Sequence, residues 1–353
     1  MKRFQLGAWR PAQADARLAA SDLVTRTLGQ HGLLPSSKQT GQAGQAGQAG
    51  FAGLMAQFGG GKTAPVLPEG AVFASEIFTC DAGSRGYRTY IPAPRSGGVT
   101  GVVVMLHGCT QNPEDFAAGT GMNLLADRHG FVVLYPAQSR GDNAQSCWNW
   151  FSRGDQKRGR GEPAILAELT RAICEKHGVG REATFVAGLS AGAAMAAILG
   201  EAYPDVFAAI GAHSGLPVGA AKDVPSAFAA MAGTAVEAGP AHSGTAVRTI
   251  VFHGTADATV HPSNGDRIVQ RAVSGAVRQV VEQTQSGQIN GRSYARIIAT
   301  GPDGRDLLEH WQITGLGHAW SGGQAGGSYT DTKGPDASAE MIRFFFETTV
   351  KGQ

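Results

Sequence analysis

From about residue 72 onward, apolar and polar positions fall into blocks that alternate between strand and helix patterns. Residues 73–79 and 87–91 predict an antiparallel pair, turned by Asp81-Ala82-Gly83-Ser84. Val102-Val103-Val104-Met105-Leu106 is apolar throughout, the pattern of a strand buried on both faces. Asn112-Pro113-Glu114-Asp115 then supplies a cap, a first-turn proline and acids, which start a helix. Residues 131–135 predict the next buried strand. Glu162-Pro163 opens a long helix with Ile165, Leu166, Leu169 and Ile173 on one face, ending near Gly178. Later strands are expected at 208–210, 249–252 and 310–313, with a closing helix at 339–350. The alternation predicts an α/β fold: a mostly parallel central sheet, helices on both faces, and sites at the carboxyl ends of the strands.

The first 70 residues break this pattern and are read as an N-terminal extension, with 71–353 as the main α/β domain. Leu18, Leu23 and Leu28, among alanines and polar residues, predict a modest amphipathic helix. Gly41-Gln42-Ala43 then recurs through Gly47-Gln48-Ala49, a repeat that cannot bury a core and reads as a flexible linker. Phe51-Ala52-Gly53-Leu54-Met55-Ala56-Gln57-Phe58 is a second short apolar patch, expected either to cover the main domain, to dock elsewhere, or to be part of a disordered tail. Met1-Lys2-Arg3 has the charge of a secretory leader, but no apolar core follows it. The expectation is a cytoplasmic chain, with secretion as the alternative.

Composition narrows the classes. An apolar content of 42% with 16% charged residues describes a globular chain. A net charge of +2 gives no basic excess to hold nucleic acid, and no apolar run is long enough to predict a membrane span.

The candidate chemistry centres on Gly188-Leu189-Ser190-Ala191-Gly192, preceded by the apolar run Thr184-Phe185-Val186-Ala187 and followed by small helix formers. Strand, sharp turn and helix with serine at the apex is the arrangement of a nucleophilic serine; the alternative is an ordinary glycine-rich turn. Glycines on both sides remove the Cβ clashes that such a turn creates. Acyl transfer also needs two amides aimed at the oxyanion. Ala191, after the serine, is one; Cys109 in His107-Gly108-Cys109-Thr110 is the other, with His107 shaping the loop. The base is expected late and on a loop, at His318 among the glycines of 315–323. Asp257, after the strand at 249–252, is the carboxylate that would orient it. Asp266 and Asp205 read as surface carboxylates, and His253, His261 and His213 as packed or capping histidines.

With these residues in place the chain resembles the polyhydroxybutyrate depolymerase family of esterases, in its lipase-box, short-chain-length type, a group that includes feruloyl and acetyl xylan esterases. The matching segments are residues 106–111, 146–151, the serine turn, 253–257, 317–323 and 333–338, in family order across about residues 75–347. The resemblance implies the α/β-hydrolase fold and a serine carboxylesterase with no metal and no organic cofactor. Secreted members carry a leader, and many add a polymer-binding domain. The chain shows neither, so it is expected to resemble the intracellular branch, which acts on granules or soluble oligomers.

Cys109 and Cys147 lie in motifs that match the family, and a bridge between them would brace the oxyanion loop and suit an oxidising compartment. Cys174 reads as a buried free thiol, and Cys80 as its partner or as free. Trp320, Trp150 and Trp148 are expected to wall the acyl or alcohol pocket, with core packing as the alternative for the last two, and Thr110 is a fourth substrate contact. Arg140, Asp142 and Asn143 read as a solvated loop. The expected function is hydrolysis of poly- or oligo-(3-hydroxybutyrate) esters. The alternatives are a feruloyl or acetyl xylan esterase with the same triad, and a granule-surface binding protein using the N-terminal patches. The expected partners are a polyester or small ester and a polymer granule surface.

Overall fold

Residues 102–106, apolar at every position, are buried at every position in the interior of a ten-stranded sheet. The structure, a computed structural model, describes residues 67–234, 247–274 and 280–347. The amphipathic stretch, the Gly-Gln-Ala repeat and the second apolar patch of the extension lie outside the described residues.

The chain opens with the hairpin β1 (Val72–Cys80) and β2 (Gly83–Ile91), followed by β3 (Val102–Leu106). Helices α1 (Pro113–Thr120) and α2 (Met122–His129) lead to β4 (Val132–Pro136). Then come α3 (Gly161–His177), β5 (Thr184–Leu189), α4 (Ala191–Ala202) and β6 (Ala209–His213). Helix α5 (Val224–Met231), β7 (Arg248–Gly254) and α6 (Ser263–Ser274) follow. The chain closes with β8 (Val281–Ile289), β9 (Arg292–Thr300), β10 (Asp306–Ile313), the two-residue strands β11 (Trp320–Ser321) and β12 (Thr330–Asp331), and α7 (Ala337–Phe346).

The sheet order is β1-β2-β4-β3-β5-β6-β7-β10-β9-β8. Every neighbouring pair from β4 to β10 is parallel, and antiparallel strands flank this centre at both edges. Successive strand side chains point to opposite faces. Val104, Leu106, Val186 and Ile210 therefore share one face, packed with Leu166 and Leu169 of α3 and Met195 and Leu199 of α4. Phe185 points the other way and stacks on Phe345 of α7 at 4.9 Å. Helices cover both faces.

Local signals account for the ends of these elements. The Asn112 side chain accepts the Asp115 N–H at 2.8 Å and starts α1. Gly178 closes α3 in the left-handed conformation, φ 65°. The closing helix begins at Ala337 rather than 339, because Asp336 caps it by accepting the Ala339 N–H, and within the described residues it runs to Phe346. The hairpin of β8 and β9 was not anticipated: β8 reads VEQTQSGQI and is exposed at every position, so it shows no apolar stripe. Its sequence signal is the turn Asn290-Gly291, both at positive φ (44° and 78°).

Candidate active site

Ser190 sits between β5 and α4 with φ 57° and ψ −118°, a conformation that L-residues rarely adopt. Its neighbours make that turn possible. A Cβ on Gly188 would lie 2.7 Å from the Leu106 carbonyl oxygen, and one on Gly192 would run into the same carbonyl. The turn is tied to the sheet by the Ser190 N–H, which donates to His213 O at 2.9 Å. Strain of this kind is worth on the order of 1–3 kcal/mol, and the surrounding packing maintains it.

Strands β6, β7 and β10 follow β5 across the sheet, so the loops after β7 and β10 open at the same end as Ser190. Asp257 lies in the first and His318 in the second. His318 Nδ1 and Asp257 Oδ2 are 2.8 Å apart. With its Nδ1–H donating to this carboxylate, His318 keeps Nε2 as the basic nitrogen. The other Asp257 oxygen accepts the N–H groups of Thr259 (3.0 Å) and Val260 (2.9 Å). Burial alone would raise the Asp257 pKa. Hydrogen bonds from His253, His318 and the Val260 amide outweigh it and hold the carboxyl far below the usual range.

The turn after β3 supplies amides. Gly108 N–H donates to Gln111 Oε1 (2.9 Å), Thr110 N–H to Gln145 O (2.7 Å) and Gln111 N–H to Gly108 O (3.3 Å). That leaves the Cys109 N–H as the amide of this turn with no protein acceptor among the described residues. Ala191 is the first residue of α4, so its N–H has no acceptor within the helix. A Cβ on Gly108 would lie 3.7 Å from the Ser190 Cβ, which puts the turn against the serine.

A family model described as Esterase PHB depolymerase matches residues 85–292, more than half of the chain. The chain belongs to that family. It is 32% identical over 229 residues to a poly(3-hydroxyalkanoate) depolymerase C of Paucimonas lemoignei, covering 62% of this chain and 54% of that protein. It is 29% identical over 181 residues to a probable acetylxylan esterase A of Aspergillus clavatus, covering 46% of this chain and 58% of that protein. The chain therefore spans little more than half the length of these curated relatives. Among solved structures, an acetyl xylan esterase from Aspergillus awamori is similar with a TM-score of 0.60 at 23% identity, over 77% of this chain and 98% of that one. That likeness shows the fold, which is the α/β-hydrolase fold.

In this chain Cys109 is bridged to Cys147, while Cys80 and Cys174 are free. The bridge ties the turn after β3 to the 138–150 loop. That loop is held from beneath by the buried Glu162, which accepts the Asn149 N–H (2.8 Å), the Asn149 side chain (2.9 Å) and Gln138 Nε2. Burial pushes the Glu162 pKa up to about 7. Asp142 pairs with Arg85 at 3.3 Å, and the Asn143 amide donates to Asn149 at 3.0 Å, so both serve the loop itself.

The tryptophans require a correction. Trp148, Trp320 and Trp150 are 0%, 1% and 5% exposed, and none offers an open pocket wall. Trp148 donates to His107 O at 3.0 Å. Trp320 donates to Ser338 Oγ at 3.1 Å and stacks on His213 at 5.1 Å. Trp150 packs edge-on against Phe151 at 5.7 Å. They brace the site from below. Of the expected substrate contacts, Thr110 is the exposed one.

The other histidines have structural partners. His107 Nε2 accepts the Gln138 N–H (3.1 Å) and its Nδ1 donates to Gly108 O (2.8 Å); burial lowers its pKa to about 4. His213 Nε2 accepts the Ser321 N–H at 3.0 Å, and burial lowers its pKa to about 3. His261 Nδ1 accepts the Ser263 N–H at 3.2 Å, at the start of α6. His253 does more than pack: its Nε2 donates to Val260 O (2.9 Å) and lies 3.5 Å from Asp257 Oδ2. Sequence reasoning read His253 only as a packed or capping histidine and Glu162 only as a helix start, and it gave Gln111 and Tyr329 no role of their own. The spacing of His253 and Asp257, four residues apart across a turn, was the signal available for the first.

Proposed function

We propose that this chain is a serine carboxylesterase that hydrolyses 3-hydroxybutyrate esters, polymeric or oligomeric, through an acyl-enzyme. The observation that carries the chemistry is Ser190 held at φ 57° at the sheet end where Asp257 engages His318 Nδ1. In this reading Ser190 Oγ attacks the ester carbonyl while His318 Nε2 takes its proton. The carbonyl oxygen becomes an oxyanion that accepts the Cys109 and Ala191 N–H groups. His318 then protonates the leaving alcohol. Water, deprotonated by His318, attacks the acyl-serine and releases the acid and free Ser190. Asp257 stays ionised and holds the imidazolium.

The choice of ester rests on the match to the esterase PHB depolymerase family and on the likeness to the Paucimonas lemoignei poly(3-hydroxyalkanoate) depolymerase. The second reading is an acetyl xylan or feruloyl esterase with the same triad; the likeness to the Aspergillus clavatus protein favours the acetyl xylan form. A polymer granule surface is the proposed partner of residues 1–70, where the apolar patches lie; deleting them would abolish granule binding and spare soluble-ester hydrolysis. The Cys109–Cys147 bridge supports an oxidising compartment, hence the secreted alternative over the cytoplasmic one.

The test compares p-nitrophenyl butyrate and a 3-hydroxybutyrate trimer with wild type and Ser190→Ala. Loss of both activities in the variant, with the trimer favoured by wild type, is the expected result. Loss of both with little trimer turnover by wild type moves the substrate to acetyl or feruloyl esters. Retained activity in Ser190→Ala overturns the nucleophile.

A further inference from the structure

Tyr329 lies on the loop between β11 and β12, after a run of glycines, and its own φ is 51°. Thr110, 219 residues earlier, is also left-handed, at φ 66°. Both depart from the conformations that L side chains prefer, and their hydroxyls meet: Thr110 Oγ1 and Tyr329 OH are 3.1 Å apart. Thr110 is exposed and Tyr329 partly so, so this bond is not core packing.

Both residues are fixed by the site's own framework. Tyr329 O accepts the Trp320 N–H at 2.7 Å, two residues beyond His318. Thr110 follows Cys109, and its N–H donates to Gln145 O. Gln111 Nε2 donates to Ser328 O at 3.1 Å, and Asp115 Oδ1 accepts the Ser328 N–H at 3.0 Å. The hydroxyl pair therefore joins the β11–β12 loop, itself bonded to Trp320 just past His318, to the turn that carries the Cys109 amide.

Two hydroxyls bonded to each other consume one O–H between them and leave the second free to donate, polarised by the first. An alkyl group gains nothing from such a pair, whereas an acceptor oxygen does. The Cys109 amide faces the scissile carbonyl in the reading above, and the Thr110 Cα is about 3.8 Å further along the chain. We propose that Tyr329 and Thr110 form a specificity site for an oxygen on the third carbon of the acyl group, selecting 3-hydroxyacyl esters over plain alkanoyl esters. This inference rests on the esterase reading of Ser190.

The experiment uses the full chain with two esters that share a leaving group, p-nitrophenyl 3-hydroxybutyrate and p-nitrophenyl butyrate. The readout is the ratio of kcat/KM on the first to that on the second. Tyr329→Phe keeps the ring and removes only the hydroxyl, so the ratio falls by about tenfold, the worth of one good hydrogen bond, with the change mainly in KM. Thr110→Val lowers the ratio in the same direction and stands independently if Tyr329→Phe folds poorly. A ratio that stays at the wild-type value in both variants overturns the inference, including the case where both esters slow equally because the loop is damaged. A wild type that turns over neither ester overturns the esterase reading, and this inference with it.

Discussion

His318 Nδ1 and Asp257 Oδ2 meet at 2.8 Å, while backbone amides occupy the other carboxylate oxygen. The carboxylate cannot turn without giving up those amides, so it dictates which imidazole nitrogen carries the proton. Asp257→Asn presents an amide in its place and favours the wrong tautomer. The expected loss in kcat is about 10⁴-fold, as for other triads. Steady-state kinetics on p-nitrophenyl butyrate checks it; a loss below tenfold would mean that His318 is oriented by something else.

Ser190 trades stability for position. Its φ of 57° is strain that glycine would not feel. Relief of roughly 1–3 kcal/mol exceeds the roughly 0.5–1 kcal/mol by which glycine loosens the unfolded chain. Ser190→Gly should therefore melt about 2 °C higher while being inactive. Calorimetry on the purified variant decides this, and a lower melting temperature would show that the turn is not strained.

The Cys109–Cys147 bridge closes a loop across 38 positions and holds the turn after β3. In the chain-entropy account a loop of that size contributes about 4 kcal/mol. Replacing both cysteines with serine should lower the melting temperature and kcat together, and dithiothreitol should bring wild type to the same level. Reductant-insensitive kcat would assign the turn's geometry to Gln111 and the Thr110–Gln145 bond alone.

Glu162 makes the 138–150 loop sensitive to pH. Its folded pKa is raised from 4.5 to about 7, chiefly by burial, so the folded chain binds this proton more tightly than the unfolded one. The associated stability is full below pH 4.5 and is lost as pH rises through 7, on the order of 3 kcal/mol. Glu162→Gln cannot ionise. The melting temperature of the variant minus that of wild type should therefore rise between pH 5 and pH 8. A difference flat with pH would show that Glu162 stays ionised throughout.

Much of the site was legible because its signals are local. A strained strand-to-helix turn needs small neighbours, and Gly188 and Gly192 each stand two positions from Ser190. Asp257 and His318 follow apolar runs that mark strand ends. Asn290-Gly291 marked a hairpin just as locally, but the polar run at 281–289 hid the strand beside it. The tryptophans misled for the opposite reason. An aromatic beside a candidate base suits a pocket wall and a brace equally well, and only the stacking of Trp320 on His213 separates the two.

The sequence by itself determined the apolar strands at the centre of the sheet, the helices with an apolar face or a clear cap, where the serine turn falls, and the chain order of serine, carboxylate and histidine. These follow from side-chain periodicity and from backbone angles that few residues tolerate. The tertiary structure alone decided which side chains meet across loops: Thr110 with Tyr329, Cys109 with Cys147, Glu162 with the loop above it, and His253 with Asp257. Those meetings depend on sheet order and on how each loop lies over its neighbours. Periodicity says that a face is buried, but not against which residue.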